Sequence, residues 1–127
     1  MSGFNVTRLN HAVLYVRSAK AAAEFYRKAF GFVIAGEEFG GKAIFMRAAN
    51  TENHHDLGLF EVGPEAPRAA RGSTGLYHLA WEVGSMRDLA AAAQTLGELG
   101  ALTGARDRKS TRLNSSHTDI SRMPSSA

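Results

Sequence analysis

The chain repeats itself, and that repeat limits what it can fold into more than any other feature. Leu9, His11, Val16, Ser18 and Ala23 recur 67 residues later as Leu76, His78, Val83, Ser85 and Ala90. The two aligned stretches, RLNHAVLYVRSAKAAAEFYRKAFGF and GLYHLAWEVGSMRDLAAAAQTLGELGA, each read as a strand, a serine in N-cap position and an amphipathic helix. Ala22, Phe25, Tyr26 and Ala29 fall at i, i+3, i+4 and i+7 in the first helix, and Met86, Leu89, Ala90 and Ala93 do so in the second. Both helices should therefore lay one face on a sheet. Three more strands are expected after the first helix, at 32–37, at 42–48 beyond the Gly40–Gly41 turn signal, and at 56–62. The first module is thus βαβββ, over 7–63. A linker follows at 64–74, and a partial second module, one strand and one helix, at 75–106. The fold class is α+β, built from paired βαβββ modules of which the second is incomplete.

After 106 the sequence runs into RKSTRLNSSHTDISRMPSSA, rich in serine and without period. The run DRKSTRLNSSH can be written codon for codon as a widely used sequencing-library adapter, and residues 120–127 continue it in frame. The segment 107–127 is accordingly expected to be an artefactual or disordered tail that makes no stable contact with the sheet. On this reading the intact parent continues with about three strands, and the present fragment is inactive.

Charge and composition narrow the function further. The tail carries Arg108, Lys109, Arg112 and Arg122 against Asp107 and Asp119, leaving only +1 of the total net charge of +3 for the rest. A body that close to neutral has no electrostatic footprint for a phosphate backbone, so nucleic acid is not an expected partner. No apolar leader opens the chain and no run approaches the roughly 18 apolar residues of a membrane span. No membrane association is expected, and the cytoplasm is the default compartment. With no cysteine in the sequence, any metal must be held by histidine, carboxylate or water.

Strand alternation puts Leu9, His11, Val13 and Tyr15 on one face of the first strand and Ala12, Leu14 and Val16 on the face the helix covers. In the second module His78, Ala80 and Glu82 share a face, with Leu79, Trp81 and Val83 on the helix side. Alone, each histidine reads as an ordinary core or surface residue. Their equivalence across a repeat brings both imidazoles into one cavity if the modules pair about a pseudo-two-fold axis. Two neutral imidazoles with one carboxylate make the facial triad that binds ferrous iron and leaves positions open for substrate and dioxygen.

The pattern LNHAVLYV, a helix ending FYRKAFGF, then LYHLAWEV resembles the vicinal-oxygen-chelate superfamily of glyoxalases, bleomycin-resistance proteins and extradiol dioxygenases. The resemblance covers residues 7–106. It implies a metal cradled by paired modules, with His11 and His78 as ligands and a third, a glutamate, on the last strand of the second module. The metal implied is divalent, foremost Fe(II), with Mn, Ni or Zn as alternatives. The substrate is a small molecule, and a homodimer of the parent is compatible with it.

Within the superfamily, NHHDLGL ahead of LYH resembles the extradiol ring-cleaving dioxygenases, which implies a proton-handling role for His55 on a catechol-type substrate. Alternation disagrees, since His54 shares a face with Asp56, Gly58 and Phe60, whereas His55 shares one with Leu57 and Leu59. A strand beginning only at Asp56 would free His55 to turn inward. Both histidines are otherwise loop residues. Glyoxalase-type members place a ligating glutamate where Gly58 stands, and Glu61 replaces it only with a register shift. A glyoxalase-like isomerase or transferase and a metal-free small-molecule binding protein remain the alternatives.

Overall fold

A computed structural model describes residues 3–102 and the backbone of Ser116 and His117. The chain divides into two compact units, the first ending at Ala66 and the second starting at Pro67.

The first unit is one βαβββ module: β1 (Ala12–Val16), α1 (Ala19–Phe30), β2 (Val33–Glu38), β3 (Ala43–Arg47) and β4 (Leu57–Glu61). The sheet order is β1-β4-β3-β2, with β1 parallel to β4 and the other pairs antiparallel. Helix α1 starts where the Ser18 side chain accepts from the backbone N–H of Ala21. The Glu61 carboxylate accepts from Ala19 N–H at 3.0 Å, placing negative charge at the positive end of the helix. The helix ends at Gly31, whose φ of 67° suits a residue without Cβ and whose N–H returns to Arg27. On its solvent side Arg27 hydrogen-bonds Glu24 and, with Lys28 nearby, holds that carboxyl down at about 2.

Helix α1 buries Ala19, Ala22, Ala23, Tyr26 and Ala29. The four alanines let it lie close to β3 and β4, where Ile44, Met46, Leu57 and Leu59 are fully buried. Burial pushes the Tyr26 hydroxyl up to about 12. Leu59 pairs with Leu14 on one side and Ile44 on the other, so the covered face is Ala12, Leu14 and Val16 with their partners, as alternation required. The opposite face is open, with Val13 half exposed and Tyr15 at 81% exposure.

The second unit holds β5 (Glu82–Val83), α2 (Met86–Glu98) and the backbone of β6 (Ser116–His117). Ser85 caps α2 by accepting from Asp88 N–H. Two expectations need correction here. The strand read in LYHLAWEV is described only at Glu82 and Val83, so His78 lies outside any described strand. On α2 Leu96 is buried and Leu89, Ala92, Ala93 and Thr95 are half-buried, with Met86 and Ala90 exposed, so the covered side keeps Leu89 and Ala93 of the expected stripe and lies further along the helix.

The tail 107–127 lies outside the described residues except for the backbone of Ser116 and His117. That dipeptide pairs antiparallel with Val83 and Glu82, against the expectation of a tail without sheet contacts. An unpaired strand offers a row of free N–H and C=O groups that any extended backbone can satisfy. Among the described residues no helix is long and apolar enough to cross a membrane.

Candidate functional site

The open face of the first unit carries a cluster of histidines at one end. His11 stands immediately before β1, exposed, on the side of Val13 and Tyr15. Because β1 and β4 are parallel, their starting ends lie together, with Ala12 opposite Leu57. The residues leading into β4 are thereby delivered to His11. The ring of His55 lies 4.5 Å from that of His11, centroid to centroid, tilted by 55°. It also lies 5.0 Å from Phe45, the β3 residue paired with Gly58 on this face. His54 meets His55 edge-on, their Nδ1 atoms 3.1 Å apart, so one of the two nitrogens donates and the other accepts.

The His55 ring is thus the one that lies against His11, with His54 against His55. Strand β4 begins at Leu57, and residues 53–55 are held outside the pleat by a tight hydrogen-bonded turn. The Asp56 carboxylate closes that turn by accepting from Ala48 N–H (2.9 Å), Thr51 Oγ1 (3.2 Å) and Asn53 Nδ2 (2.7 Å). Asn53 is the hub of the turn and is 9% exposed. Its Nδ2 also donates to the Asn10 carbonyl (3.0 Å), and its Oδ1 accepts from Arg8 (2.5 Å) and Asn10 Nδ2 (3.3 Å). Asn10 in turn lies 2.9 Å from His11 Nδ1 through its Oδ1. Asn10, Asn53 and Phe45 were not singled out in the sequence. The one available signal was the density of turn-forming residues in Asn50, Thr51, Asn53 and Asp56.

Burial pushes His55 below the ordinary imidazole range, and the neighbouring His11 and His54 push the same way, with Asp56 opposing. A ring kept neutral in this way is suited to accept a proton.

His78 belongs to the second unit, where it is exposed and its ring centroid is 6.4 Å from that of Tyr77. Leu79, Trp81 and Val83 are less exposed than their neighbours His78, Ala80 and Glu82, so the expected division of sides holds even where no strand forms. The structure therefore brings His11 and His55 together within one unit and carries His78 on the other. Among the described residues no group of three or more His, Asp or Glu side chains is arranged to hold a metal ion. The imidazoles present fit part of a ligand set for a divalent metal and lack its carboxylate. Glu61 does not supply one, since it lies on the helix face and caps α1. At Gly58, on the histidine face, a Cβ would meet Val13 Cγ2 at 3.2 Å and Phe45 Cδ1 at 3.5 Å, so the position is close-packed.

Comparison with known proteins places this geometry in context. The family model described as the Glyoxalase/Bleomycin resistance protein/Dioxygenase superfamily matches residues 8–115. No curated protein matches the chain. Among solved structures, a possible glyoxalase from Bacillus cereus is 25% identical, with a TM-score of 0.51 over 75% of this chain and 76% of that one. An integron cassette protein from the mobile metagenome of V. cholerae is 20% identical, with a TM-score of 0.57 over 90% and 83%. A lactoylglutathione lyase from Agrobacterium tumefaciens is 17% identical, with a TM-score of 0.55 over 85% and 80%. The last two share the fold.

Proposed function

Since the chain belongs to the Glyoxalase/Bleomycin resistance protein/Dioxygenase superfamily, we propose that its histidine cluster is half of a metal centre for ring cleavage of a catechol-type substrate, in the manner of an extradiol dioxygenase. The observation that carries the reading is the His55 ring lying against His11 on the open face. In this reading His11 and His78 would hold a divalent metal, foremost Fe(II), with a glutamate as the third ligand. When bound, such a metal would supply Lewis acidity that makes substrate hydroxyl protons easier to remove.

The chain's own residues do the rest. His55, neutral because of burial and its histidine neighbours, takes a proton from a substrate hydroxyl held beside His11 and later returns it. Phe45 backs the His55 ring and keeps water from one side of it. Gly58 lets the Val13 and Phe45 side chains close over β4, so that the floor of the site is made by those two side chains.

A glyoxalase-like isomerase is the second reading, favoured by the likeness to the possible glyoxalase from Bacillus cereus. It asks for a carboxylate in the fourth strand on the histidine face, and Gly58 stands there while Glu61 is engaged with the helix.

The test is made on the parent, its gene resequenced from fresh DNA and expressed with whatever follows residue 106. His11→Ala and His78→Ala should lose iron and catechol cleavage together. His55→Ala should keep iron while turnover drops by a factor on the order of 10² to 10⁴, the range for loss of a general acid or base. Iron lost with His55, or turnover unchanged without it, would overturn the assignment. Isomerase turnover without catechol cleavage would establish the second reading.

A further inference from the structure

We propose that Asn10 is a positioning residue, locked by Asn53, that fixes His11 in the Nδ1–H tautomer and so leaves Nε2 bare as the nitrogen able to bind a metal. The inference rests on the ligand role proposed for His11, and it goes further by naming what makes that ring a ligand. Two groups in the network have no choice of role. The Asp56 carboxylate only accepts, so the Asn53 amide must point its Nδ2 at Asp56 Oδ1, 2.7 Å away. The Arg8 guanidinium only donates, so the Asn53 oxygen must face it, as it does at 2.5 Å.

With Asn53 thus oriented from both ends, its Oδ1 can only accept from Asn10 as well, so the Asn10 amide must turn its Nδ2 toward it, 3.3 Å away. That fixes the second amide and leaves Asn10 Oδ1, an acceptor, 2.9 Å from His11 Nδ1. A hydrogen bond at that distance requires the hydrogen on Nδ1. The lone pair of the neutral ring is then on Nε2. Free histidine in water prefers the opposite tautomer, so the network reverses the intrinsic preference. Metal-binding histidines are generally held by such a partner on the second nitrogen, which sets the ring's orientation and raises the basicity of the first.

The buried hub also explains why an exposed ring can be held at all. Asn10 and His11 are both exposed, and an isolated hydrogen bond there would compete with water. Asn53 is nearly buried and makes four hydrogen bonds to three residues besides its neighbour in the turn, so Asn10 is fastened to a fixed point.

The experiment is a two-bond ¹H–¹⁵N correlation on the uniformly ¹⁵N-labelled full chain at about pH 8.5, well above the ordinary imidazole value of about 6.5. The native chain should show His11 with a protonated Nδ1 and a bare Nε2. Asn10→Ala should invert the pattern toward Nε2–H, and Asn10→Asp, which keeps an acceptor in place, should restore Nδ1–H. Asn53→Ala should give a mixture, while Asn10→Ala alters only an exposed side chain and keeps the test valid if the Asn53 variant fails to fold. An Nε2–H ring in the native chain, an Nδ1–H ring that survives Asn10→Ala, or no restoration by Asn10→Asp would each overturn the proposal.

Cobalt(II) added to the same samples separates the two claims. If His11 is a ligand, paramagnetic broadening centres on it and Asn10→Ala weakens cobalt binding on the order of 10- to 100-fold. A native chain that shows the Nδ1–H ring but no broadening at His11 supports positioning by Asn10 and ends the ligand role.

Discussion

Replacing Leu59 with alanine tests the register on which the site depends. Leu59 has no exposed surface and lies in β4, between Leu14 of β1 and Ile44 of β3, on the face that α1 covers. Truncating such a leucine costs about 2–5 kcal/mol, from lost transfer energy and the cavity left behind. A unit of this size, ending at Ala66, has a total stability of about 3–10 kcal/mol at the usual value per residue. Leu59→Ala should therefore remove a large part of it, whereas Tyr15→Ala, on the open face, should change it by no more than about 0.5 kcal/mol. Urea denaturation followed by far-UV circular dichroism reads both, and native-state hydrogen exchange of the β4 amides assigns the loss to this unit. Trp81 fluorescence is unsuitable because that residue lies in the second unit. Comparable losses in the two variants would refute the reasoning: β1 would then have no free face, and His11 would not stand on an open one. A one-residue slip in β4 would have the same effect, since it exchanges every side chain between the faces.

The other expectations are smaller in size and as direct to check. With His55 held below the ordinary imidazole value of about 6.5, the unfolded chain binds more protons than the folded one as pH falls past that value. The stability this ring contributes is complete above about pH 6.5 and is lost as pH falls through its folded value, so the Tm of His55→Gln should decline less between pH 8 and pH 5 than that of the native chain. Glu61→Ala removes the acceptor at Ala19 N–H and should cost about 0.5–2 kcal/mol in the urea transition, with Ser18→Ala in the same range. His54→Ala, at an exposed position, should leave stability within about 0.5 kcal/mol and leave turnover of the parent far above that of His55→Ala.

The first module was legible in the sequence because each level pointed the same way. Alternation in 11–16, the serine cap, the 3.6-residue period of α1 and the glycine after it all specify one arrangement, and the structure has it. What alternation misread was the approach to β4. It treats every residue as lying in the pleat, and the Asp56 carboxylate takes 53–55 out of it by giving nearby N–H groups a closer acceptor. Periodicity therefore gave no guide to where the His55 ring would lie. Asn10 and Asn53 stayed hidden for another reason. Their role comes from hydrogen bonds between the start of the chain and a distant turn, and no local pattern records such a bond. In the second module the helix was legible, and of its strand only Glu82 and Val83 take strand form among the described residues, because a strand is fixed by its ladder and no local pattern says how far the ladder runs.

The position of the site follows from topology before it follows from chemistry. In the βαβββ module the first and last strands are parallel neighbours, so the residues preceding each arrive at the same end of the sheet, although most of the module separates them in sequence. A histidine placed just before β1 and another just before β4 must meet there, whatever the intervening loops do. The helix covers the other face, which leaves the meeting point free of core packing and open to a ligand. The end of the sheet also supplies backbone groups that the ladder no longer uses, and here they are taken up by Asn53 and Asp56, which hold the two histidine-bearing segments to each other. The same bonds that finish the sheet therefore set the separation of His11 and His55. A substitution that frees the 48–56 turn should disturb that spacing before it disturbs the fold, since Ile44, Met46, Leu57 and Leu59 lie on the opposite face and keep their packing.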